Sequence, residues 1–128
     1  MARYKKHITY SSYIYALISF LDITFPKLKV HQYAKLPRGV AGRCSYKQNW
    51  IKLNVADAKE ALITLAHEGG HYFSYIRNKD IIEEHYEQHF TRSKREDLAY
   101  LYGWGLLKLI GATSLISKVQ WRYSHGKI

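Results

Sequence analysis

The chain has 128 residues, 47% of them hydrophobic and 23% charged, a composition that predicts one globular domain over residues 1–128 and excludes a disordered chain. A single cysteine, Cys44, excludes an intrachain disulfide, and no apolar run approaches the ~20 residues of a membrane span, so no membrane partner is expected. The net charge of +10 is unevenly spread: residues 1–52 hold ten Lys/Arg against Asp22 alone, residues 53–107 hold six against nine acids, and residues 108–128 hold four and no acid.

This polarity fits a soluble cationic surface, or a partner that is acidic or bound to nucleic acid. No nucleic-acid-binding motif supports a direct contact. Arg3, Lys5 and Lys6 precede the apolar "YIYALISFL" (residues 13–21), as in a signal peptide, but "DITFP" follows where a small-residue cleavage site belongs. A cytoplasmic location is expected.

In chain order, Ser11 and Ser12 predict the cap of a helix running to about Leu21, with Ala16, Leu17, Phe20 and Leu21 on its apolar side, and Pro26 ends that region. "LKVHQY" (residues 28–33) reads as a short strand and "LPRGV" (residues 36–40) as a turn. Residues 40–46 and 50–55 read as two strands of a hairpin joined by "KQN", and the alternation in "WIKLNV" suits a half-buried or edge strand. Asp57 predicts the cap of a helix over residues 58–76, whose core stripe is Leu62, Leu65, Ala66, Gly69, Gly70 and Phe73. A short helix follows over residues 81–89. A longer one runs over residues 92–110 and stops at Gly111. A last helix, capped by Thr113, carries Leu115, Ile116, Val119 and Trp121. The fold class is α+β: a small antiparallel or mixed sheet of about three strands, packed on helices.

Within the helix over residues 58–76 stands His67-Glu68-Gly69-Gly70-His71, a complete H-E-x-x-H. Residues four apart share a helix face, so both imidazoles can reach one zinc ion. The glutamate between them is placed to take a proton from water activated by that ion. Gly69 and Gly70 each cost ~1 kcal/mol relative to alanine in a helix interior. They are expected to give clearance for a strand or substrate backbone passing the metal.

Two ligands do not hold a catalytic metal. The extended form of the motif fails, because Ser74 and Arg77 stand where Gly and His belong. Cys44, His85 or His89, Glu96 and its neighbour Asp97 remain as third-ligand candidates. His85 and His89 are also four apart, but Glu87 lies on the opposite side of their helix from a base position. Glu96 shares a face with Ala99, Tyr100 and Gly103, whose small members let its helix approach the first, and would complete a His2Glu site. Ser93 and Glu96 also form a capping-box pattern.

The H-E-x-x-H, followed 25 residues later by Glu96-x-x-Ala99-x-x-Tyr102-Gly103-x-x-Leu106-Leu107, resembles the ImmA/IrrE family of zinc metallopeptidases over residues 40–107. Tyr100, Lys108 and Leu109 depart from the family pattern. The resemblance implies one Zn2+ ion held by His67, His71 and Glu96, with Glu68 as general base. It implies a protein substrate, in this family often a DNA-binding repressor, and suits a phage or mobile-element product acting in a bacterial cytoplasm.

The leading expectation is therefore a zinc endopeptidase. Its substrate would lie along an edge strand of Trp50, Ile51, Lys52, Leu53 and Asn54, with Tyr100, His85, His89 and Arg92 as candidates for oxyanion or substrate contacts. The alternatives are a non-catalytic zinc-containing regulator that sequesters a repressor, a three-histidine SprT-like protease acting near DNA, and a phage cell-wall peptidase.

Overall fold

The computed structural model describes residues 9–78 and 92–124. Helix α1 spans Tyr10–Thr24. Its cap is Thr9, whose side chain accepts from the Ser12 amide at 3.2 Å, so Ser11 and Ser12 fall inside the first turn. The buried stripe is Tyr13, Ile14, Leu17 and Leu21. Ala16 is exposed, contrary to expectation, because the larger apolar surfaces of Tyr13 and Ile14 rotate the core-facing stripe away from it.

Three short strands follow: β1 Lys29–His31, β2 Gly42–Ser45 and β3 Trp50–Leu53. The sheet order is β1-β3-β2, with β1 parallel and β2 antiparallel to β3. β3 is thus the central strand, and the expectation that Trp50, Ile51, Lys52, Leu53 and Asn54 form an edge is corrected. The alternation read in "WIKLNV" reports one buried face. It cannot distinguish a central strand from an edge one when the other face is in water. The β2–β3 turn closes through Asn49 at φ 58°, a left-handed conformation that asparagine tolerates. The Tyr72 hydroxyl donates to Asn49 Oδ1 at 2.6 Å and ties the turn to the next helix.

Helix α2, Ala58–Arg77, is capped by Asp57, which accepts from the Glu60 amide at 3.0 Å. Residues 61–67 are all buried, because the sheet, α1 and the helix after it enclose the middle of α2. The helix expected over residues 81–89, with His85 and His89, lies outside the described residues.

Helix α3, Arg92–Leu109, buries Ala99, Tyr100, Gly103, Leu106 and Leu107, and Gly111 at φ 77° turns the chain out of it. A 3-10 turn, Ala112–Ser114, leads to α4, Lys118–Ser124. Thr113 lies within that turn. The side chain placed to cap α4 is Ser117, whose hydroxyl accepts from the Gln120 amide at 3.1 Å. Leu115 and Ile116 therefore precede the helix expected to carry them; Ile116 and, on α4, Trp121 are buried, whereas Leu115 and Val119 are exposed.

The α2–α3 crossing is backbone on backbone. A Cβ on Gly70 would run into the Ala99 carbonyl and stand 2.8 Å from the Gly103 nitrogen. A Cβ on Gly103 would stand 2.8 Å from the Ala66 carbonyl and 2.9 Å from the Trp121 ring. Gly69 instead faces Leu106 and Leu21, with nearest atoms at 3.1 and 3.6 Å. The paired glycines of the motif therefore admit α3 and the core, not a strand or substrate, because they point away from the sheet.

Gly70→Ala should lower unfolding free energy by about 2 kcal/mol, since the atoms it meets are backbone and cannot rotate aside. Gly105→Ala, where nothing lies within 4 Å, should raise it by about 0.5–1 kcal/mol. Urea denaturation of the two variants beside the parent checks both signs.

Candidate metal centre

His67, His71 and Ser74 lie at i, i+4 and i+7 on one face of α2, turned toward α3 and the end of the sheet. The crossing at Gly70 and Gly103 brings the first turn of α3 over that face. Glu96 Oε2 lies 3.2 Å from His67 Nε2 and 2.7 Å from His71 Nε2. Ligand atoms of the three residues all fall within 4.8 Å of one another.

These residues fit a metal ion on chemistry as well as distance. Glu96 Oε2 is buried, and no hydrogen bond satisfies it. Imidazole lone pairs and a carboxylate oxygen repel at such separations unless a proton or cation sits between them. One ion would satisfy all three donors, and two nitrogens with one oxygen make a donor set suited to a borderline transition metal. Contact with His67, then His71, holds the Glu96 carboxyl well below the usual carboxylate range.

Glu68 lines the same cleft, a cavity of about 500 Å³. Burial pushes its carboxyl up from the ordinary value; His71 and His67 pull it down, and Glu96 adds to the rise. Gly42 on β2 lies against it: a Cβ there would stand 2.5 Å from Thr64 Cγ2 and 3.2 Å from Glu68 Cγ. Glu68 is thus sandwiched between its own helix and strand β2.

β2 forms the wall of the cleft facing α3. Asn54 donates to the Ala41 carbonyl at 2.8 Å, and hydrogen-bonded pairs in an antiparallel ladder recur every second residue. In the observed register Arg43 with Lys52, and Ser45 with Trp50, therefore bond toward β3. Gly42 and Cys44 turn their amides and carbonyls to the other edge, which carries no strand among the described residues.

The structure places the remaining candidates as follows. Cys44 lines the cleft but stands outside the His67–His71–Glu96 group. Burial, and then the Glu68 carboxylate, push its thiol up, which keeps it protonated. Asp97 is exposed and outside the group. Glu96 faces the histidines rather than the helix start, so its role here is not that of a capping-box residue. Tyr100 is buried behind His67, its ring centroid 5.0 Å from that imidazole, and does not line the cleft. Its phenol is pushed up to about 12 by burial and then by Glu96. Arg92 is exposed at the start of α3 and also does not line the cleft. His85 and His89 lie outside the described residues.

Sequence reading missed Arg43, Arg95, Tyr46, Tyr75 and Ser74 as cleft residues. Ser74 carried a signal, its i+7 spacing from His67. The stacked rings of Tyr46 and Tyr75, 4.1 Å apart, join hairpin to helix and left no local pattern.

Compared with known proteins, the chain matches no family model, no curated protein and no solved structure.

The site should bind one equivalent of a divalent transition metal, and stability should rise by about 4 kcal/mol at a free-metal concentration a thousandfold above the dissociation constant. His67→Ala, His71→Ala and Glu96→Ala should each lose that gain, whereas Arg92→Ala should keep it. Metal content after dialysis and thermal melts with and without a chelator measure this.

Proposed function

We propose that the chain is a zinc-dependent endopeptidase of the ImmA/IrrE type. The observation that carries this reading is the convergence of His67, His71 and Glu96 on one point, with Glu68 half-buried in the same cleft. A structural metal site needs no carboxylate of raised proton affinity beside it, and a hydrolytic one does.

When bound, zinc supplies Lewis-acid polarisation of a carbonyl and lowers the pKa of water. The protein's own groups do the rest. Glu68 accepts the proton of the attacking water and delivers it to the leaving amine. Its partial burial suits both tasks, because burial raises its proton affinity from that of an ordinary carboxylate. Glu96 stays ionised and holds its place as a ligand. The substrate lies extended along β2, where the amides and carbonyls of Gly42 and Cys44 offer hydrogen bonds. Arg95, one residue before Glu96, lines the cleft where Arg92 and Tyr100 do not, and takes their place as the group to stabilise a developing oxyanion. A DNA-binding repressor fits as substrate on the family resemblance.

Glu68→Gln should retain one zinc ion and lose 10²–10⁴-fold in cleavage rate. The readouts are metal content and the appearance of new N-termini in a peptide mixture. A Glu68→Gln variant that cleaves like the parent overturns the mechanism. A parent that cleaves nothing, while both proteins capture the same partner, favours the sequestering regulator instead.

A further inference from the structure

The sheet has two unlike faces. Val30, Cys44, Ile51 and Leu53 point toward the core. The outer face is basic. The register pairs His31 with Lys52 and Lys52 with Arg43, which sets three basic side chains in one row across all three strands. At about 4.8 Å between strands, that row is about 10 Å long and ends at Arg43, on the open edge beside the metal centre. Lys52 Nζ lies 4.3 Å from the centroid of the Trp50 ring, which holds the ammonium over the sheet. The sequence has no acid between Asp22 and Asp57, and among the described residues no carboxylate pairs with Arg43 or Lys52.

We propose that the substrate segment is read through an acidic side chain, which stands opposite Arg43 on the outer face while the peptide backbone pairs with the free edge of β2. This rests on the peptidase reading of the metal centre. The geometry follows from the ladder. Gly42 and Cys44 hydrogen-bond to an antiparallel substrate strand, so Arg43 meets the substrate as a non-hydrogen-bonded pair. That pairing brings opposing residues closest, with Cα atoms about 4.5 Å apart. A carboxylate at this position meets the Arg43 guanidinium directly, and Lys52 stands one strand behind. The neighbouring substrate residues turn inward, toward the cleft. The preferred segment therefore carries an acid opposite Arg43.

The same basic row fits single-stranded nucleic acid less well. Stacking platforms need open aromatic faces. Trp50 has Lys52 over its ring, and its Nε1 donates to Gln48 at 2.8 Å. The open edge offers backbone donors and acceptors that a peptide matches.

The test uses the full-length, zinc-loaded Glu68→Gln protein and fluorescence anisotropy. The probes are a labelled ten-residue neutral peptide with one central glutamate, its glutamine counterpart, and a ten-nucleotide oligothymidylate. The glutamate peptide should bind about fivefold more tightly than the glutamine peptide. Arg43→Gln with Lys52→Gln should reduce that preference to within twofold. Lys108→Gln with Lys118→Gln, which removes the same charge from distant exposed positions, should leave it intact. Equal binding of the two peptides, no binding of either, a preference that survives loss of Arg43 and Lys52, or capture of oligothymidylate in place of the acidic peptide would overturn the proposal. Failure of the peptidase reading shows separately: the parent protein then cleaves neither peptide while the glutamate preference persists.

Discussion

Gly70 and Gly103 bear no side chain where α2 and α3 cross, and the helices touch there through backbone atoms. The metal centre is a consequence of that approach. His67 precedes Gly70 by three residues and His71 follows it by one, so both imidazoles flank the crossing. Glu96 precedes Gly103 by seven residues and Ala99 by three, which puts it two turns up the same face. Any side chain at either glycine moves the helix axes apart and widens the His67–His71–Glu96 triangle. Trp121 from α4 closes the far side, its ring against Gly103 and 5.7 Å from that of Tyr100. Two interior glycines cost helix stability locally, and the burial of Leu62, Leu65, Leu106 and Leu107 around them offsets it.

The crossing also separates two carboxylates by environment. Glu96 stands against two imidazoles and its proton affinity falls. Glu68 is enclosed between α2 and β2, and its proton affinity rises. On the peptidase proposal, opposite shifts in one cleft divide the labour: the first side chain stays anionic as a ligand, the second exchanges a proton. Gly42 is what permits the second environment. With a Cβ there, Thr64 and Glu68 would have to withdraw, and water would reach the carboxylate.

Much of this was legible in the sequence, because the controlling patterns are local. The α+β class, the Asp57 cap and the stop at Gly111 each follow from a few adjacent residues. The i, i+4 spacing put His67 and His71 on one face, and the small residues Ala99 and Gly103 marked Glu96's helix as one that packs closely. What failed was information carried by pairing. Strand order depends on which edges meet, so an alternating "WIKL" could not declare itself central. The purpose of Gly69 and Gly70 depended on which neighbour fills the space, and that neighbour is α3. Tyr100 shares Glu96's side of α3, but one further turn along the helix takes it behind His67. Arg43 and Arg95 looked like surface charge because nothing local shows that β2 and the first turn of α3 face one cleft.

Charge along the chain becomes charge across the cleft. The only charged side chains of residues 29–52 are basic, and strand β2 shares a cleft with Glu68 of α2 and with Arg95 and Glu96 of α3. On the proposed docking, an extended segment on β2 has one face toward the cationic outer surface of the sheet and the other toward the cleft, where Glu68 and Glu96 stand with His67, His71 and Arg95. Side-chain alternation in that segment then turns the basic row into a sequence preference, since every second residue faces it. On the proposed docking, the basic composition of the first half of the chain serves recognition, because β2 places Arg43 at an edge that no strand covers among the described residues.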